Sequence, residues 1–374
     1  MSGKAGLLYD NLSNNTGDAA IGLSMIKILN EAGVRFEVLF PGCFKAADYE
    51  TIVIGGGHII RPRPDYFYDN FRVPGPHILN AAGIVGRPRD LGYLEDYRYV
   101  TVRSKCDREK LYRLRNTAHV VPCTTLLLED MEDFPIRIKS PALGVHLLPG
   151  MMGAREEKAF TGWASSLPYT VYFIPITHYN QDYRYMQRLS AGIPNSVILP
   201  LLSPLEIFTL MGRIDRLITS SLHGAIFAYA HNTPFIVLGY DEKMSAFMED
   251  RGLQEYVFRG FNGMKDTFER LCDDLPDYST RVARDRQTLF RHVERLKELL
   301  PEGETAMQPD MIMKDLQSYS AGIFQRPPTP AMRLNSLYQS FDRKLHYEVS
   351  RVKGDIMRRV SVAKKAPIIT AKKL

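Results

Sequence analysis

The segment Ser220-Ser221-Leu222-His223-Gly224 gathers two hydroxyls, an imidazole and a glycine where a strand-like run, residues 216–219, gives way to a helix-like one, residues 222–230. A serine at 220 or 221 caps such a helix and leaves first-turn N–H groups facing outward at the positive end of the helix dipole. That is a place for a phosphate or a carboxylate. His223 lies in the first turn and projects toward the same point, and an imidazole's ordinary pKa lets it act as acid or base near neutral pH. The residue is equally compatible with a plain polar position at a helix start. After the next strand-like run, residues 235–240, Tyr240 and Lys243 supply a ring and a cation on a neighbouring loop.

A second group lies in the N-terminal half. Asn14-Asn15-Thr16-Gly17-Asp18 is a polar strand-to-helix turn, in which Asn15 and Gly17 are candidates for contact with a bound hydroxyl compound. Asp18 reads either as a helix cap or as a base toward such hydroxyls. Gly55-Gly56-Gly57 follows a strand but lacks the Lys-Ser/Thr of a Walker loop and the full dinucleotide fingerprint, so Gly56 and Gly57 imply close backbone approach to a ligand or a neighbouring domain. Arg103 ends an apolar strand, where a charge is costly unless paired or used on a ligand. His178 and Asp182 follow the strand-like run 169–174 and are candidates for the same ligand. His58, His146 and His231 have weaker cases. No cluster of acidic, His or Cys residues stands at metal-ligand spacing, and the four cysteines form neither a Cys-x-x-Cys pair nor a disulfide framework.

These residues need elements to hold them. Residues 5–9, 34–40, 51–54 and 99–103 read as strands, and residues 19–32 and 107–115 as helices; the pattern breaks near 134–142. A second alternating run follows, with strands at 144–148, 169–174, 196–199, 216–219 and 235–240, and helices at 156–165, 182–191, 203–213 and 222–230. Residues 287–300 form an amphipathic helix. Two β-α runs of this kind predict two Rossmann-like domains, residues 1–139 and 140–320, facing a cleft at the carboxyl ends of their strands. The 374 residues are 45% hydrophobic and 24% charged, and no window is apolar enough to span a membrane. The first residues lack a secretory pattern, from which a cytoplasmic location is expected. Residues 321–374 form a Pro-containing linker and tail; the last 32 residues, from Arg343, are strongly basic in a chain of net charge +6. Such a tail either rests on anionic lipid headgroups or extends into solvent. No basic-aromatic patch or recognition motif points to nucleic acid.

The run from Arg216 to Lys243 resembles the C-terminal signature of polysaccharide pyruvyl transferases, through Ser220, Leu222, His223, Ala228, Pro234, Tyr240 and Lys243. Phe247 and Gly252-Leu253 continue the pattern. Weaker matches are Asn15 to Ile21, Gly55 to Gly57, Val100 to Arg103, and His178 with Asp182, so the resemblance covers most of residues 5–255. It implies a glycosyltransferase-B-like pair of domains with a basic C-terminal extension. The implied activity moves pyruvate from phosphoenolpyruvate to two hydroxyls of a sugar, in a cell-surface polysaccharide or its lipid-linked precursor. A cyclic ketal forms, and no further cofactor and no metal is needed.

On that resemblance His223 and Asp18 are the catalytic candidates. Ser220, Ser221, Leu222, Gly224, Lys243 and Arg103 fall on the donor side, and Asn15, Gly17, Gly56, Gly57, His178, Asp182 and Tyr240 on the acceptor side. Many members carry arginine where this chain has Ser221, so either Arg103 and Lys243 replace that cation or the donor differs. A nucleotide-sugar glycosyltransferase of the same architecture, or a non-catalytic glycan-binding protein, are the alternatives.

Overall fold

The computed structural model describes residues 4–13, 15–65, 67–115, 117–176 and 182–301. His178 and the basic tail lie outside the described residues. The chain builds two parallel six-stranded sheets. The first contains β1 (Ala5–Leu8), β2 (Phe36–Leu39), β3 (Thr51–Gly55), β4 (Ile78–Ala82), β5 (Tyr99–Val102) and β6 (Ala118–Val120), in the order β2-β1-β3-β4-β5-β6. The second contains β7 (Ala142–His146), β8 (Thr170–Phe173), β9 (Ser196–Ile198), β10 (Arg216–Thr219), β11 (Phe235–Leu238) and β12 (Val257–Phe258), in the order β12-β11-β10-β7-β8-β9. β1, β3, β7 and β11 are buried along their whole length, as expected of parallel strands covered by helices on both faces.

The strand order of each sheet reverses once. In the first sheet it does so between β1 and β3, and in the second between β7 and β10. Chains leaving the carboxyl ends of such strands diverge to opposite faces and leave a crevice. The segments around Asp18 and Gly57 leave the first switch point, and Ser220 to His223 leaves the second. Topology therefore carries the sequence candidates to two crevices.

Two helices join the halves. α1 (Thr16–Glu31) buries Met25, Ile28 and Leu29 in its own domain's core, whereas Ala20, Ile21 and Leu23 belong to the core of the second. The helices that follow are α2 (Lys105–Lys110), α3 (Ala154–Ser166), α4 (Asp182–Ser190), α5 (Pro204–Met211), α6 (Leu222–Ala230), α7 (Glu242–Asp250) and α8 (Gly260–Asp273). The last, α9 (Ser279–Leu299), starts beside the second sheet and returns to the first, where Leu296 packs with Leu7, Val53 and Ile78. His292 Nε2 donates to Asn80 Oδ1 at 2.8 Å. No helix among the described residues is long and apolar enough to cross a membrane.

Because Leu296 is fully buried where α9 returns, Leu296→Ala is expected to lower unfolding free energy by about 2–5 kcal/mol in urea titrations. Phe290→Ala, at a residue 59% exposed on the same helix, should change it by less than about 0.5 kcal/mol.

Candidate active site

α6 begins directly after β10, and its N-cap is Ser221, whose Oγ accepts from the Gly224 N–H at 3.3 Å. Thr219 Oγ1 in turn accepts from the Ser221 N–H at 2.9 Å. Ser220 faces the sheet instead: its Oγ accepts from Leu148 N–H at 3.0 Å and lies 3.4 Å from His146 Nδ1. Gly224 lets the first turn close onto the strand, since a Cβ there would come within 2.7 Å of Thr219 Oγ1. Leu222 lines the interdomain cleft.

The imidazole of His223 lies on Gly17 of the other domain; a Cβ at residue 17 would sit 1.7 Å from His223 Nδ1. Its Nε2 is 3.8 Å from Cys123 Sγ. Gly17 is held by Asn15, the N-cap of α1, whose Oδ1 accepts from the Gly17 N–H at 3.0 Å. Two helix starts, one from each domain, thus meet face to face. Asp18, one residue further, rests on Gly57, whose φ of +68° belongs to glycine and whose absent side chain leaves room for the carboxylate. Gly56, also at positive φ, packs under Ile21 of α1.

The cleft is a narrow crevice of about 20 Å³ between His58, Arg103 and Lys110 of the first domain and Leu222, Lys243 and Phe247 of the second. Arg103 is 9% exposed; its Nε is 3.9 Å from Asp107 Oδ2, and its Nη2 is buried with no hydrogen-bond partner. His58 lies beside it. A Cβ on Gly83 would be 2.4 Å from both His58 Cδ2 and Arg103 Nη2, so the two side chains share one glycine floor. Lys243 Nζ is 3.1 Å from Asp241 Oδ2 and 5.9 Å from the Tyr240 ring. At the rim Lys110 donates to Glu242 at 2.6 Å, joining α2 to α7.

Asp182 is turned away from this cleft. It is fully buried, and its Oδ2 accepts from Ile176 N–H at 2.9 Å and from His146 Nε2–H at 3.2 Å. It braces the end of β7. Tyr240 is half-buried against the core of the second domain. Among the described residues no group of three or more His, Cys, Asp or Glu side chains is placed to hold a metal ion.

Electrostatics corrects one expectation. Burial, and after it the charges of Arg103 and Lys243, pushes the His223 pKa down to about 3, so this imidazole is neutral at pH 7 rather than an acid. Asp18 moves the other way. It is enclosed by the cleft walls although solvent reaches part of it, and this desolvation, together with the like charge of Asp10, lifts its pKa to about 7 against the pull of Arg103, Lys243 and Arg61. Near pH 7 Asp18 is therefore present in both its protonated and its ionised form. His58 is held well below its ordinary value by burial and then by Arg103, Lys243, Arg61 and Lys110.

Sequence reasoning passed over Asp10 and gave His58 little weight. Asp10, 3% exposed, accepts from Ser13 N–H at 3.0 Å and from Tyr68 Oη–H at 3.3 Å. Both residues lie just beyond the carboxyl ends of switch-point strands, β1 and β3, and that position was the available signal.

A family model for polysaccharide pyruvyl transferases matches residues 15–242, from the cap of α1 to the start of α7. The chain belongs to the polysaccharide pyruvyl transferase family. It is accordingly a transferase. Among solved structures it is similar to a Staphylococcus aureus MnaA in complex with UDP, with a TM-score of 0.54 and 10% identity over 87% of this chain and 99% of that one. A putative UDP-N-acetylglucosamine 2-epimerase from Listeria monocytogenes gives 0.51 and 9% over 88% and 99%. At these identities the likeness shows the two-domain fold of this transferase alone.

The raised pKa of Asp18 disfavours its ionised form in the folded chain. As pH rises from about 4 through about 7 the unfolded state sheds this proton first, so the fold loses stability across that window. Asp18→Asn is expected to raise the Tm relative to wild type at pH 8, with the gain shrinking to nothing by pH 4. Thermal melts across that range check it, and an equal or lower Tm at pH 8 contradicts it.

Proposed function

We propose that the enzyme transfers the pyruvyl group of phosphoenolpyruvate to two hydroxyls of a sugar, in a cell-surface polysaccharide or its lipid-linked precursor, as a cyclic ketal with release of phosphate. The observation that carries this reading is the juxtaposition of a buried, unpartnered guanidinium N–H on Arg103 with the α6 helix start, beside a carboxylic acid and a neutral imidazole. A compact trianion such as phosphoenolpyruvate fits that set. Arg103 and Lys243 meet its phosphate and carboxylate, together with first-turn N–H groups of α6.

The chemistry divides as follows. Asp18 gives its proton to the methylene carbon of phosphoenolpyruvate, the electron pair of the C=C bond taking it up, while the oxygen of the first sugar hydroxyl bonds to the central carbon. His223 accepts the proton which that hydroxyl loses. The adduct carries methyl, carboxylate, phosphate and sugar oxygen on one carbon. When the C–O bond to phosphate breaks, the phosphate leaves with the electron pair and takes the proton from His223, and the oxygen of the second hydroxyl bonds to the same carbon, its proton returning to the Asp18 carboxylate as the ketal closes.

Donor charge also tunes these groups. Neutralising Arg103 and Lys243 removes part of what depresses His223, raising its basicity, and removes part of what lowers Asp18, keeping it protonated. Asn15, Gly17, Gly56 and Gly57 do not themselves face the acceptor but shape the first-domain wall from beneath, Gly17 seating His223, Gly56 Ile21 and Gly57 Asp18. Asp182 acts through His146 and Ser220 on the start of α6. The basic tail would bring the enzyme to an anionic membrane face.

The test is phosphate release from phosphoenolpyruvate with a panel of glycans. Arg103→Ala is expected to lower kcat/KM for the donor by about 10²–10³, and His223→Ala to lower kcat by about 10²–10⁴. Thermal stabilisation by phosphoenolpyruvate and not by UDP-, GDP- or CMP-sugars is expected; the reverse pattern favours a nucleotide-sugar glycosyltransferase and overturns the proposal.

A further inference from the structure

We propose that His58 is a second general base, taking the proton of the second sugar hydroxyl as the ketal ring closes; this rests on the pyruvyl-transfer reading above. A ketal forms two C–O bonds at one carbon in succession, and each hydroxyl must lose a proton. The first proton goes to His223 on the second-domain wall. The second hydroxyl needs an acceptor while His223 is occupied in returning its proton to the departing phosphate.

His58 stands on the opposite wall. It directly follows Gly57, on which Asp18 rests, and it shares the surface of Gly83 with the unpartnered Nη2 of Arg103. It therefore stands beside the cation assigned to the donor and next in the chain to the glycine under the acid. Other imidazoles are already committed: His77 Nδ1 accepts from Ile52 N–H, His146 is paired with Asp182, His231 with Asp130 and His292 with Asn80. Among the described residues no side chain or backbone group holds either ring nitrogen of His58, and the side chain lines the cleft. Burial and four surrounding cations keep it in the neutral, proton-accepting form.

In the closing step the bond between the central carbon and the phosphate oxygen breaks, with the electron pair leaving on phosphate. The second hydroxyl oxygen bonds to that carbon and its proton moves to His58. His58 then passes this proton to the Asp18 carboxylate, directly or through water, which restores the acid spent in the first step. Protons and electrons balance with no further reactant.

The experiment follows two signals in D₂O. Reversible first addition exchanges the vinyl hydrogens of recovered phosphoenolpyruvate for deuterium, read by NMR; ketal formation is read on the glycan. With His58→Gln, ketal formation is expected to fall about 100-fold or more, while acceptor-dependent exchange persists within about threefold of wild type. That exchange also reports that the variant is folded. His58→Ala should recover ketal formation on addition of free imidazole. Ketal formation at the wild-type rate in His58→Gln, loss of exchange together with ketal formation, or absence of imidazole rescue each overturns the assignment. A wild-type enzyme that neither exchanges nor releases phosphate overturns the pyruvyl-transfer reading itself, and the role of His58 with it.

Discussion

The cleft depends on one contact, that of the His223 ring on the Cα of Gly17. Both residues lie in the first turn of a helix, and the two helices come from different domains. Helix starts carry partial positive charge, so bringing two together with Arg103 and Lys243 nearby makes a region that excludes further cations. An imidazolium is a cation, and burial first, then the charges of Arg103 and Lys243, hold His223 neutral. The same positive field would strip the proton from Asp18, were it not for desolvation and the neighbouring Asp10 charge, which act more strongly. Two groups so near each other are thus shifted in opposite directions, His223 toward its neutral form and Asp18 toward its protonated form.

Holding this contact requires the two domains to be fixed relative to one another, and the elements that do so are the ones that belong to both. α1 divides its apolar surface between two cores, and α9 starts beside one sheet and ends on the other. Across the rim Lys110 and Glu242 add a charge pair, which lowers the Glu242 pKa; exposed to solvent on the Glu side, it orients more than it stabilises. Behind the α6 start lies the chain Asp182, His146, Ser220, whose side chains are fully removed from solvent. Polar groups so buried are tolerated only when each finds a partner, and together they fix where β10 ends and the helix begins.

Much of this was legible in the sequence, and what was missed was missed for physical reasons. The β10, α6 and β11 unit has long apolar runs and a capping serine, so its bounds were readable. β6 and β12, with three and two residues, are too short to show a period, and β4 ends in Asn-Ala-Ala, which lacks strand character on its own. α9 begins at Ser279, earlier than its apolar period suggests, because its first turns are rich in Arg and Asp. His223 and Arg103 were found because each is locally unusual. Gly17 under His223, and Asp182 against His146, are pairings between residues distant in sequence, and no local pattern encodes them. For Asp182 the strand-end position pointed to the cleft, whereas burial against His146 decided its direction. Protonation follows the same rule: the identity of His223 suggested neutrality of pKa, and its surroundings, assembled from both domains, set it near 3.

Ser221 stands where many family members have arginine, and the structure gives that substitution a logic. Serine accepts the Gly224 N–H and so caps α6, a task an arginine side chain cannot perform, at a typical worth of about 1 kcal/mol. A buried guanidinium, that of Arg103, stands at the end of β5 on the opposite wall. Charge and helix start, which one segment would otherwise supply together, are divided between two domains.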